Sequence, residues 1–156
     1  ILIHKATGMT VAEYLSEKVW KPFGMEKCGY WLADECSGMN IGGSGLSSSL
    51  RDYARLGQLM LGGGKIDGIS IFADEWLEGA TSILHKVAND ESGGYGYLWW
   101  VNDDGSYSAE GIFGQMVYVD PSCNLVVAQS AAWFYAGSKE LNDTRKEFIE
   151  AVKRAL

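Results

Sequence analysis

The stretch that decides the fold is SAEGIFGQMVYVDP, Ser108 to Pro121. Its second half, Met116-Val117-Tyr118-Val119, has the β-branched and aromatic content of a strand. Gly111 and Gly114, however, stand where a strand interior does not favour glycine. Such glycines mark a bulge or a place where another backbone or a ligand comes close. Working outward, Tyr95–Val101 (YGYLWWV) predicts one strand, Asp104-Gly105 a hairpin turn and Tyr107–Val119 a second strand. Asp120–Asn124 then predicts a turn, and Leu125–Trp133 a third strand. The expectation is a three-stranded antiparallel meander covered by a C-terminal helix over Asp143–Leu156. Phe148, Ile149, Val152 and Leu156 are that helix's apolar positions.

The residues before the meander read differently. Thr10 and Glu13 form a capping-box pattern, and Val11, Tyr14, Leu15 and Val19 then recur at helical spacing until Pro22. Ser49 with Asp52 opens a second helix whose apolar stripe is Leu50, Tyr53, Ala54, Gly57, Met60 and Leu61, closed by Gly62-Gly63-Gly64. Asp74–Thr81 is a shorter helix with an acidic first turn. Leu84–Gly94 is polar and glycine-rich and reads as an exposed loop. The fold class is therefore α+β: a mostly helical part, 1–94, and a part of strands plus a C-terminal helix, 95–156. A three-stranded sheet is small for this aromatic load, which predicts further strands beside it. The opening Ile1-Leu2-Ile3-His4 begins in mid-pattern, and the expectation is a carboxy-terminal portion of one larger domain.

Thirteen Lys and Arg against twenty Asp and Glu give a net charge of −7, which argues against nucleic acid or an anionic membrane as partner. No apolar run reaches membrane-spanning length. Two histidines and three cysteines without C-x-x-C or H-E-x-x-H spacing predict no metal site, and no cofactor motif is present. For Cys28, Cys36 and Cys123, buried free thiols are the plainer expectation, and one disulfide plus a spare thiol the other.

The catalytic motifs tested fail one by one. Gly64-Lys65 is followed by Ile66, so it is no phosphate-binding loop. Gly42-Gly43-Ser44-Gly45 is followed by Leu46 and does not make a nucleophile elbow. Ser47-Ser48-Ser49 reads as helix capping. No Ser-x-x-Lys occurs, and Tyr14-Leu15-Ser16 lies on a helix's apolar stripe. Trp99 and Trp100 are adjacent, so on a strand they face opposite ways. Another class of function, a binding module for carbohydrate or peptide, would use Trp99, Trp100, Trp133 and Tyr135 as an aromatic surface.

Four segments in order, TGMTVAEYLSEKVWKPFGM, GGSGLSSSLRDYARLGQLML, YGYLWWV and EGIFGQMVYVDP, together resemble the carboxy-terminal half of the serine β-lactamase-like hydrolases. That family holds class C β-lactamases, penicillin-binding carboxypeptidases, esterases and 6-aminohexanoate-dimer hydrolases. AEGIFGQ and YWLADE lean toward the last group. The resemblance implies acyl transfer from a Ser-x-x-Lys nucleophile assisted by a Tyr-x-Asn, both of which family spacing puts before Ile1. It thus implies an absent amino-terminal half as partner and a small-molecule amide or ester as substrate. The family's His-Thr-Gly segment aligns with Ala109-Glu110-Gly111. By resemblance Ile112 supplies a backbone N–H to the oxyanion hole, while Ala109, Glu110, Gly111, Phe113, Gly114 and Gln115 line the substrate. Asn40 borders the cleft. Ala109 replaces the usual basic residue that holds a substrate carboxylate, which implies a linear amide or an ester. Alone, this chain is expected to be inactive.

Overall fold

The computed structural model describes residues 1–87 and 93–156. They divide into two compact units, Ile1–Asp52 and Tyr53–Leu156.

In the first unit, α1 (Leu2–Thr7) precedes α2 (Val11–Leu15). The expected capping box is present: Glu13 N donates to Thr10 Oγ1 at 3.1 Å, and Thr10 N donates to Glu13 Oε2 at 2.8 Å. The helix widens into a π-turn over Ser16–Trp20 before Pro22. A short hairpin follows, with β1 (Tyr30–Trp31) antiparallel to β2 (Leu46–Ser47). α3 (Leu50–Leu61) starts here, where Ser49 Oγ accepts from Asp52 N at 3.1 Å as the capping pattern predicts.

α3 continues into the second unit and ends at Gly63 and Gly64, both with positive φ. A hairpin of β3 (Lys65–Ile66) and β4 (Ile69–Ser70) leads to α4 (Asp74–Ala80). Six strands then follow: β5 (His85–Lys86), β6 (Gly93–Tyr95), β7 (Trp100–Asn102), β8 (Tyr107–Glu110), β9 (Met116–Asp120) and β10 (Leu125–Gln129). They form one sheet in the order β10-β9-β8-β7-β6-β5, with every neighbouring pair antiparallel. α5 (Lys139–Ala155) closes the chain.

The meander is real, but it has six strands rather than three. Two segments read as single strands are each cut by a turn. In Tyr95–Val101 the chain reverses between β6 and β7, where Gly96 N donates to Trp99 O at 2.9 Å. A Cβ on Gly96 would sit 2.4 Å from Ala80 O, so only glycine lets this turn lie against the end of α4. In Tyr107–Val119 the reversal falls at 111–115, between β8 and β9. The third strand stops at Gln129, short of Trp133. The expected loop over Leu84–Gly94 contains β5 and the start of β6, and its middle lies outside the described residues.

The sheet's two faces pack on different helices, as alternation along a strand requires. On one face Val101, Tyr107 and Val119 join Met60 of α3 and Ala80 of α4. On the other, Met116 and Tyr118 join Ile149 of α5. Burial pushes the Tyr107 phenol up to about 12. α5 begins four residues before the expected Asp143, because Ser138 Oγ caps it by accepting from Leu141 N. Of the predicted stripes, Ile149 is buried, but Phe148, Leu156 and Leu50 are exposed, and Leu59 is the most deeply buried apolar side chain of α3. The thiols are free, yet Cys28 and Cys36 are exposed and Cys123 is only half-buried, against the expectation of burial.

Candidate functional site

Ser108 to Pro121 is a hairpin. β8 and β9 pair Tyr107↔Val119, Ser108↔Tyr118, Ala109↔Val117 and Glu110↔Met116. Gly111 N then donates to Gln115 O at 2.9 Å and closes the ladder. A single 3₁₀ turn over Ile112–Gly114 forms the tip. The glycines of the opening stretch therefore belong to a turn, not a strand interior. A Cβ at Gly111 would meet Gln115 Oε1 at 3.0 Å. At Gly114, with φ +88°, it would come 2.4 Å from the Trp133 ring.

Phe113 is the unusual residue of the tip. Its φ of +61° and ψ of 22° put an aromatic residue in the left-handed region, which costs energy for any residue with a Cβ. The conformation is held from both sides. Phe113 N donates to Ala136 O at 3.0 Å, and Trp133 N donates to Phe113 O at 3.1 Å. Gln129 Nε2 donates to Gly114 O at 2.8 Å, and Gln115 Nε2 to Ala131 O at 3.0 Å. The Ile112 N–H makes no hydrogen bond among the described residues, and Ile112 is exposed.

Behind the tip lies a charged anchor. Arg145 Nη2 of α5 donates to Glu110 Oε2 at 2.7 Å, and Ser108 Oγ donates to Glu110 Oε1 at 3.0 Å. The guanidinium also lies 5.6 Å from the Trp133 ring centroid, a cation–π distance. Arg145 is buried, so its charge is spent inside the protein.

Residues 109–115 are thus brought together on one hairpin end, with Ala109 half-buried and Glu110 turned to Arg145. Asn40 belongs to the first unit, where its Oδ1 accepts from Ala12 N at 3.1 Å. The four aromatic residues weighed as a binding surface do not share one. Trp99 packs edge-on against Tyr107 in the core, Trp133 lies over Gly114, Trp100 stands against Tyr95, and only Tyr135 is broadly exposed. Sequence reasoning missed Arg145 and Phe134. Arg145 sits in a helix as one more surface-type cation, and Phe134 falls just past the end of the expected third strand, Leu125–Trp133. Among the described residues no three His, Cys, Asp or Glu side chains are grouped to hold a metal ion, and no helix is long and apolar enough to cross a membrane.

The beta-lactamase family model matches residues 1–150. The chain belongs to the beta-lactamase family. Within it, the chain is 27% identical over 165 residues to the 6-aminohexanoate-dimer hydrolase of Paenarthrobacter ureafaciens, covering 99% of this chain and 42% of that protein. A Bacillus anthracis structure, by name only a 6-aminohexanoate-dimer hydrolase, superposes with a TM-score of 0.80 at 28% identity, over 97% of this chain and 40% of that one. A Bacteroides dorei structure, by name only a beta-lactamase, shares the fold with a TM-score of 0.63 at 17% identity, over 92% and 53% of the two chains. The chain spans about two fifths of the hydrolase relatives' length. The serine β-lactamase-like resemblance read from the four ordered segments is thereby established.

Proposed function

We infer that this chain is the carboxy-terminal portion of a serine hydrolase that cleaves an amide or ester bond through an acyl-enzyme. Its share of the site is the β8–β9 tip, where the Ile112 N–H serves as one oxyanion donor. The observation that carries this reading is the tip itself. The Ile112 N–H, without a partner among the described residues, sits beside a strained residue that the surrounding chain holds on both sides. A donor must be fixed in place before charge develops if it is to lower a barrier, and strain of this kind gathers at functional sites. Gly111 to Gln115 form the tip that a substrate carbonyl would meet, and Ala109 and Glu110 form the strand end behind it. Asn40 at the cleft border rests on family placement alone. With Ala109 in place of a basic residue and Arg145 already paired, a neutral linear amide or an ester suits the site better than a substrate read by its carboxylate.

The test uses the protein expressed from its complete reading frame. Ile112→Pro removes the N–H at a position whose preceding residue, Gly111 (φ −107°, ψ 160°), already has the extended backbone that proline demands. We expect kcat to fall about 10²–10³-fold, and far less in Ile112→Ala, which keeps the N–H. Equal losses in the two variants would refute the oxyanion role. The 156-residue chain by itself should show no acyl adduct by mass spectrometry after exposure to a fluorophosphonate or a penicillin. An adduct on it would overturn the assignment of the nucleophile to another part of the protein.

A further inference from the structure

The loop that pins Phe113 carries two aromatic side chains that no described residue covers. Phe134 is 97% exposed and Tyr135 75% exposed. Both lie between Trp133, whose N–H bonds Phe113 O, and Ala136, whose carbonyl accepts from Phe113 N. The two rings are therefore mounted on the same main-chain clamp that holds the Ile112–Gly114 turn. Phe113, 39% exposed, and Ile112, 63% exposed, are the exposed apolar residues of that turn. Exposed apolar side chains gathered at one place mark a recognition surface, and aromatic residues give large contact area at low entropy cost.

The charges nearby say what such a surface accepts. The cation facing the turn from α5, Arg145, is buried and bound to Glu110. Lys139, just after the loop, is exposed and paired with Asp143 at 3.0 Å. Arg145 is therefore not free to hold a carboxylate, and the chain's charge of −7 does not favour an anion. We propose that Phe134 and Tyr135 are the specificity-determining residues of the site and receive the uncharged, apolar acyl portion of the substrate. This rests on the inferred acyl-transfer function and adds to it a substrate class: neutral medium-length acyl amides and esters.

The experiment measures kcat/KM of the protein from its complete reading frame on p-nitrophenyl esters from acetyl to octanoyl. Each ester is also assayed beside a counterpart ending in a carboxylate. The expected hexanoyl-to-acetyl ratio is about tenfold or more, the scale that a few methylenes in an apolar site provide. The carboxylate-ended esters fall below their neutral partners. In Phe134→Ser and Tyr135→Ser the ratio drops toward one, whereas Ile69→Ser, an exposed apolar position on β4, leaves it as in the parent. Folding is checked on each variant by the thermal midpoint. Absence of an acyl-enzyme with every ester, acetyl included, would remove the acyl-transfer reading itself. Acylation with a ratio that neither aromatic substitution changes would refute the specificity role alone.

Discussion

In the first unit, Ile1–Asp52, no apolar side chain is fully buried and the one fully buried residue is Asp52, whereas the second unit closes two apolar clusters on opposite faces of a sheet. The first is tied by directional bonds. Asp52 accepts from Glu26 N, Lys27 N and Ser49 Oγ at 2.7–3.1 Å. Trp20 Nε1 donates to Lys27 O, and Trp31 Nε1 to Ile41 O and Ser44 O. The second gains from area removed from water, about 25 cal/mol per Å² of apolar surface. A hydrogen bond adds only about 1 kcal/mol net, yet costs more when one partner is left stranded. The units should therefore fail in different ways: one by cavities, the other by orphaned polar groups.

The largest test of that contrast is Leu59→Ala. Leu59 is 2% exposed, and emptying such a site costs about 2–5 kcal/mol, read from the urea midpoint followed by tryptophan fluorescence. A loss below about 1 kcal/mol would show that the second unit does not rest on its core. Next is Asp52→Ala, which strands two main-chain N–H groups and a hydroxyl. We expect about 2 kcal/mol, seen as faster hydrogen exchange at Glu26 and Lys27, and unchanged exchange there would break the comparison.

The smallest effect concerns the second unit's own polar tie. Burial alone would raise the Asp120 carboxyl, but bonds from Lys153 Nζ at 2.8 Å and from Ser122 outweigh it and hold it well below the usual range. A carboxyl depressed in the folded state contributes stability that is complete above its unfolded value, near 4, and is lost as pH falls below that. The urea midpoint should decline below about pH 4, with a shallower acid slope in Asp120→Asn. An identical slope in the two proteins would exclude Asp120 from the acid response.

How much of this was legible depends on whether a residue advertised its backbone. Thr10 with Glu13, Ser49 with Asp52, and Asp104-Gly105 announced their structures because their side chains or missing Cβ atoms favour those conformations. The two hidden turns did not. Each carries a bulky residue in the left-handed region, Leu98 at φ 65° and Phe113 at φ 61°, where glycine or asparagine is the usual signal. Surrounded by aromatic and β-branched neighbours, both turns read as strand. In consequence the candidate residues 109–115 were picked out through the ordered family segments, while their arrangement as a hairpin tip was not. Arg145 stayed hidden because nothing local distinguishes a helix cation that points inward to a carboxylate 35 residues away.

The sheet's order, β10-β9-β8-β7-β6-β5, is simply the chain's own order. Among the described strands each ladder joins neighbours in sequence, so each of these pairings closes only a short loop and costs little chain entropy. Assembly can proceed hairpin by hairpin along the chain, with α5 arriving last to cover Met116 and Tyr118. Topologies built from such local pairings fold quickly for their size. The hairpin that carries Ile112–Gly114 would then close early, and its strained Phe113 would be fixed only when Trp133 and Ala136 reach it.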